Sequence, residues 1–213
     1  PETLPPEKRS PRGLAQAFSG YGLLLRDRRF VGLSMVVGLV MTVLFSFVVG
    51  SAYFFMELYG LPPWHYSILF ASCAVVGIGL AQFSAPAMRR LGAARLVLLS
   101  TTVTAFGASA FLIAVTLDPP LVLALPLVWL TFAGVAFVMA PGSVLALDPH
   151  PERAGAASAL IGTFQFGLGA IGAGLVSVLF DGTAVPLAAT MATCGVAALF
   201  IAVRTLGLRP AIA

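Results

Sequence analysis

Charge is what this sequence has least of. Only 9% of its 213 residues are Asp, Glu, Lys or Arg, while 59% are hydrophobic, where a soluble chain carries roughly 25% charged residues. Mean hydropathy is +1.01, and a water-solvated globule is all but excluded. Cysteine is nearly absent too: Cys73 and Cys194 both fall inside apolar stretches, offer no disulfide framework or metal spacing, and read as small packing residues. The two histidines, His65 and His150, lie in loops and read as solvated interface residues rather than proton acceptors. No early apolar core marks a cleavable signal peptide. The chain opens on Pro1 rather than Met, as a piece of something longer, or a processed chain, would. The short alternating strands of a β-barrel are missing.

What is present is a series of apolar runs, at 30–56, 66–88, 96–117, 121–147, 154–180 and 183–203. Each reaches the roughly 20 residues that span the hydrocarbon as a helix, so the expected fold is an all-α integral membrane bundle of six transmembrane helices over 30–213. Residues 1–29 form a separate entry segment. Ser10 and Pro11 suit a helix start; Leu14, Phe18, Tyr21 and Leu25 share one face, and Arg26, Arg28 and Arg29 close it, as in an amphipathic helix on the membrane surface.

If six spans alternate, all twelve basic residues fall on one side. They are Lys8, Arg9, Arg12, Arg26, Arg28 and Arg29, then Arg89, Arg90 and Arg95, then Arg153, then Arg204 and Arg209. The opposite loops hold Glu57, Asp118 and Asp181 and no Lys or Arg. Basic loops stay in the cytoplasm, which places both ends of the chain inside. The stretch DPHPERAGAASALIG at 148–162 then enters from a cytoplasmic turn. The pI near 9.6 reports topology and contact with anionic lipid, with no nucleic-acid footprint.

Mid-membrane chemistry is sparse. Gly107-Ala108-Ser109 has the Gly-x-Ser pattern of an intramembrane serine protease, but no base lies at depth to activate a hydroxyl. No charged side chain sits mid-span, so the chain carries no proton relay of its own. Small residues recur at helical spacing, as Cys73, Gly77, Ala81 and Ala85 and as Gly169, Ala173 and Ser177, a helix-packing signal. Pro126 and Pro141 should kink the fourth span. Neutral polarity remains: Gln165 near the middle of the fifth span, on a face with Ser158, Gly162, Gly169 and Gly172, and Thr42, Ser46 and Tyr53 on one face of the first. These faces, with Phe45 and Trp129, are candidates for the wall of a polar cavity; interhelical hydrogen bonding is the alternative.

Three stretches resemble the C-terminal half of a major facilitator superfamily drug exporter of the bicyclomycin and chloramphenicol resistance type. PETL at 1–4 resembles the end of that family's sixth helix. SAYFFMELYG at 51–60 is similar to its Ser-Pro-Phe…Tyr-Gly at the outer end of helix seven, with Ala52 and Tyr53 in place of Pro and Phe. AGAASALIGTFQFGLGA from Ala154 resembles its Ala-Gly-x-Ala-Ser-Ala-x-x-Gly-x-x-Gln entry to helix eleven. MRRLGAARL at 88–96 resembles a worn copy of the superfamily's inner loop: Arg90 and Gly92 fit, while Ala85 and Arg89 replace its Gly and Asp.

The resemblance implies two inverted three-helix repeats, half of a twelve-helix fold, whose first, second, fourth and fifth spans face a central cavity. It implies drug export by proton antiport in the bacterial inner membrane, small-molecule drugs and an N-terminal six-helix half as partners, the proton gradient as the driving force and no cofactor. Arg90, Gly92 and Arg153 are then candidates for gating at the cytoplasmic loops. A non-transporting six-helix scaffold and a half-size transporter working as a homodimer are the alternatives.

Overall fold

The computed structural model describes residues 14–117 and 120–207, with side-chain surroundings from residue 20 onward. The expected start at Ser10 and Pro11, the PETL stretch, Lys8, Arg9, Arg12, Asp118 and Arg209 lie outside the described residues. Helix α1 (Leu14–Arg26) runs into Asp27, whose carboxylate accepts the backbone N–H of Arg29 at 2.8 Å and of Phe30 at 3.3 Å. Those donors have no partner inside the helix they open, and the acid supplies one. Helix α1 docks through Gly20 and Leu24, which are buried; Leu25, expected on the face turned to the membrane surface, is half exposed. The side chains of Leu14 and Phe18 lie outside the description.

Six apolar helical stretches follow, each long enough to cross a membrane. Span one is α2 (Arg28–Ala52), continued by a π-helical segment, Tyr53–Leu58. The wider turn coincides with two consecutive buried rings: Phe54 rests on Phe111 and Phe55 on Phe47. Span two is α3 (Pro63–Ala81), which stops seven residues before the expected limit of 88. At Gln82 and Phe83 a tight turn intervenes, with the Phe83 N–H bonded to the Leu80 carbonyl. The amphipathic α4 (Ser84–Leu91) then carries Arg89 and Arg90 out of the span. It ends at Gly92, where φ is +78° and ψ is 146°, a conformation that essentially only glycine holds.

Span three is α5 (Ala93–Val115). Span four is interrupted: α6 (Leu121–Ala136) gives way to α7 (Met139–Leu147) across Phe137 and Val138. The cause is Pro141, which has no N–H to offer the carbonyl four residues back, at Phe137, and whose ring crowds that carbonyl. Pro126 lies within an unbroken stretch of α6, so the helix is interrupted only near Pro141. A 3-10 turn (Pro151–Arg153) leads into span five, α8 (Ala154–Val178), and α9 (Val185–Leu206) is span six.

The packing has a hidden regularity. The six most extensive packings are of spans one with five, three with six, three with four, one with six, one with four and two with four. Exchanging each span with the one three places away returns the same set, since one with five becomes four with two and one with six becomes four with three. An odd number of crossings separates the exchanged spans, so the two-fold axis lies in the membrane plane. The bundle is two inverted three-helix repeats.

Glycines set the closest contacts. A Cβ on Gly134 of α6 would stand 2.7 Å from the Ser100 carbonyl oxygen of α5, and one on Gly107 of α5 would stand 2.9 Å from the Thr131 backbone nitrogen of α6. In lipid, where dispersion drives association, that approach is the stabilising element. Gly107 is thus a packing residue, and the Gly-x-Ser pattern needs no catalytic reading.

Candidate functional site

Between α2, α3 and the α6–α7 span lies a cleft of about 350 Å³, within the usual range for small-molecule pockets. Its lining is apolar throughout, with Phe47 from α2, Phe70, Cys73 and Gly77 from α3, and Phe132 and Met139 from the broken span. Two of its rim residues, Val48 and Ile78, are exposed. The Cys73, Gly77 and Ala81 stripe borders this cleft: Cys73 is buried and Gly77 lies against Phe132 of the fourth span, while Ala81 is exposed. Ala85, the fourth member of that stripe, belongs to α4 and is exposed.

Helix α3 is lightly held. Cys73 is the one buried residue in it, and its mid-helix tie to the bundle is the Trp129 indole N–H, which donates to Ser72 Oγ at 3.0 Å. Ser72 in turn donates to the Leu69 carbonyl. Trp129 thus braces the wall of the cleft from behind, a role that a sequence reading could not assign to a residue 57 positions from its partner.

The other candidates fall elsewhere. Thr42 and Ser46 are buried where α2 meets α8, facing Gly172, and do not line an open cavity. The glycine lets the helices close over them. Thr42 donates to the Gly38 carbonyl at 3.0 Å, while Ser46 Oγ has no partner among the described residues. Phe45 turns to α8 as well, against Gly169 and 6.1 Å from Phe166. Gln165 is half-buried at the edge of this contact, and its amide bonds to no described residue. The aromatic residues of the cleft, Phe47, Phe70 and Phe132, escaped the sequence reading because 16 phenylalanines are scattered through the apolar runs.

Tyr53 stands at the end of the bundle that carries Glu57 and Asp181, with its ring 4.5 Å from Phe180 and edge-on to it, and its hydroxyl donates to the Gly182 carbonyl. With Gly50, Ser177 and Leu187 it lines a second cleft of about 280 Å³. Beside it the Thr183 hydroxyl and N–H donate to Asp181 at 2.6 and 3.0 Å. The hydroxyl contributes most to holding the Asp181 carboxyl below its usual range.

At the opposite end, His150 is not the solvated loop residue expected. Its Nε2 lies 3.0 Å from Asp27 Oδ2, and Phe30 packs edge-on against its ring. Burial pushes the Asp27 carboxyl up, but the N–H groups of Arg29 and Phe30, and then His150, outweigh it and hold it below its ordinary 3.8. His65 stacks on Trp64 at 3.5 Å, with Nδ1 buried and unpartnered among the described residues. Arg90 on α4, Gly92 at its end and Arg153 in the 3-10 turn before span five are exposed.

The fold and cleft together define a multi-pass membrane bundle of two inverted repeats around a small-molecule-sized apolar site. Residues 1–174 match the Major Facilitator Superfamily, and the chain belongs to that family. It is 34% identical over 196 residues to the uncharacterized MFS-type transporter YdgK of Bacillus subtilis, covering 89% of this chain and 47% of the relative. It is 26% identical over 201 residues to a bicyclomycin resistance protein homolog of Haemophilus influenzae, covering 91% and 49%. The chain spans about half the length of these curated relatives, and its six spans are one half of the major facilitator fold, the C-terminal half by the stretches at 51–60 and from Ala154. No solved structure matches it significantly.

Proposed function

We propose that this bundle is the C-terminal half of a proton-coupled multidrug exporter, moving small-molecule drugs across the bacterial inner membrane by alternating access against a second six-helix half. Its inner end, with Arg90 and Arg153, faces the cytoplasm, and no catalytic step or bound cofactor takes part. The observation that carries the reading is the apolar cleft. A pump for varied drugs needs a site that removes apolar surface from water without demanding one fixed set of hydrogen bonds, and Phe47, Phe70, Phe132 and Met139 offer such a site.

Two further observations support it. The flanking spans leave faces for a partner: α3 buries only Cys73, and on α8 Gly167 and Gly174 meet nothing within 4 Å, as suits close approach by another helix. No charged side chain lies mid-span, so the titrating group belongs to the other half. The Haemophilus relative's name, a bicyclomycin resistance protein homolog, points to drugs as cargo. Gln165 serves as a neutral polar contact beside the translocation path, while Thr42 and Ser46 meet cargo only when α8 moves off α2. Phe45 and Tyr53 guard the α8 side of span one, and Arg90, Gly92 and Arg153 shape the inner loops that gate access.

The test is a drug-resistance panel with the complete reading frame expressed in a pump-deficient host, with and without a proton uncoupler. Resistance that collapses with the uncoupler is expected; resistance to no drug would overturn the proposal. In the same cells Gln165→Ala should lower efflux several-fold at unchanged membrane abundance, and unaltered efflux would remove Gln165 from the path.

A further inference from the structure

We infer that the seam between α5 and α9 binds one anionic phospholipid, with its phosphate between Arg95 and Arg204 and its acyl chains along the apolar faces beside them. The site is independent of what the protein transports and needs only that the bundle spans a membrane. Helices α5 and α9 are the third and sixth spans, and their packing is among the most extensive in the bundle. They run in opposite directions and meet closely: a Cβ on Gly195 would stand 3.2 Å from Ala105 Cα. From that crossing, Arg204 lies about 14 Å along α9 and Arg95 about 15 Å along α5, toward the same end of the bundle. The two arginines therefore stand at one level, one on each helix of the seam.

Each arginine heads an exposed apolar stripe. On α9 the stripe is Val196, Phe200 and Val203, and on α5 it is Leu99 and Phe106. Thr102 lies within the α5 stripe, but its hydroxyl donates to the Leu98 carbonyl, so it asks nothing of its surroundings. The Arg204 guanidinium carbon lies over the Phe200 ring, 5.1 Å from its centroid, which holds the charge close against an apolar face. From Arg95 to Phe106 the stripe runs about 16 Å, close to half of the roughly 30 Å hydrocarbon core. That is the depth of one leaflet.

The arginines lack an acid. Among the described residues neither pairs with a carboxylate, and Asp27, at the same end, is engaged by His150 and by the backbone of α2. Two uncompensated cations at the rim of the hydrocarbon attract an anion that is itself anchored there, and guanidinium groups offer paired N–H donors that match phosphate oxygens. A soluble phosphate would meet the charges and leave both stripes bare. A zwitterionic lipid would cover the stripes but bring its own ammonium toward the arginines.

The test titrates the purified complete transporter, in a neutral detergent, with dioleoylphosphatidylglycerol or dioleoylphosphatidylcholine and counts bound lipid by native mass spectrometry. Phosphatidylglycerol should bind about tenfold tighter than phosphatidylcholine. Arg95→Gln and Arg204→Gln should each weaken it about fivefold, the effect of one cation near a membrane surface, and together they should erase the preference. Arg26→Gln removes the same charge from α1, which packs against α2 and α8, and should leave the preference unchanged. Millimolar inorganic phosphate should not displace the lipid. Equal affinity for the two lipids, a double variant that binds like the parent, or an equal loss in Arg26→Gln would overturn the site. Displacement by phosphate would overturn the lipid assignment in favour of a soluble anion.

Discussion

Gly134 and Gly162 look alike in the sequence, each a glycine among apolar residues, yet the structure gives them opposite duties. A Cβ on Gly134 meets backbone atoms of Ser100 and Thr104 at 2.7 Å, whereas one on Gly162 meets nothing within 4 Å. Gly134→Ala should therefore destabilise the bundle by about 1–3 kcal/mol, the usual cost of overpacking. Gly162→Ala should be neutral or stabilise by up to about 1 kcal/mol through helix propensity, and thermal unfolding of the purified protein separates the two. Asp27 is the other residue whose duty was hidden, because its partner His150 is distant in sequence. Its carboxyl is held low, so its contribution is present above the ordinary 3.8 and is lost as pH falls through the depressed value. Asp27→Ala should cost about 0.5–2 kcal/mol as a lost helix cap. That deficit should shrink as pH falls below about 4, read from unfolding temperatures of both proteins.

Among the helices, the spans themselves were legible because lipid demands long apolar stretches, and composition alone reports those. Their interruptions were less so. The turn at Gln82 and Phe83 begins four residues before Pro86, which has no N–H to offer the Gln82 carbonyl. The break at Phe137 and Val138 lies one turn before Pro141, the proline that causes it, and Pro126 carries the same side chain without the same effect. The way α3 is held was not legible at all, since it depends on Trp129 finding Ser72. Trp129→Phe keeps the ring and removes the donor, so α3 should loosen. With Cys194→Ala as background, alkylation of the buried Cys73 by a membrane-permeant maleimide should then quicken about tenfold, in line with a lost hydrogen bond of up to about 1.5 kcal/mol. An unchanged rate would mean that packing alone fixes α3.

At the scale of the whole molecule, the exchange symmetry of the spans, the cleft and the distribution of charge describe one object. One end gathers Arg26, Arg28, Arg29, Arg89, Arg90, Arg95, Arg153 and Arg204, and the contacts of Asp27 with His150 and of Gly32 with Thr205 bring the flanking segments to that same end. At the other end, Tyr53 with Gly182 and Ser51 with Tyr66 do likewise, and the acids described there are Glu57 and Asp181. Charge placement was readable in advance because loops must be hydrated wherever the chain leaves lipid. The site was not, because apolar rings that line a cleft carry the same letters as rings that fill a core. The most direct measurement places single cysteines at Glu57, Asp181, Arg90 and Arg153 in a Cys73→Ala, Cys194→Ala background and treats intact cells with a membrane-impermeant thiol reagent. Positions 57 and 181 should label at once and positions 90 and 153 only after permeabilisation; labelling of 90 or 153 in intact cells would contradict the assignment of the two faces.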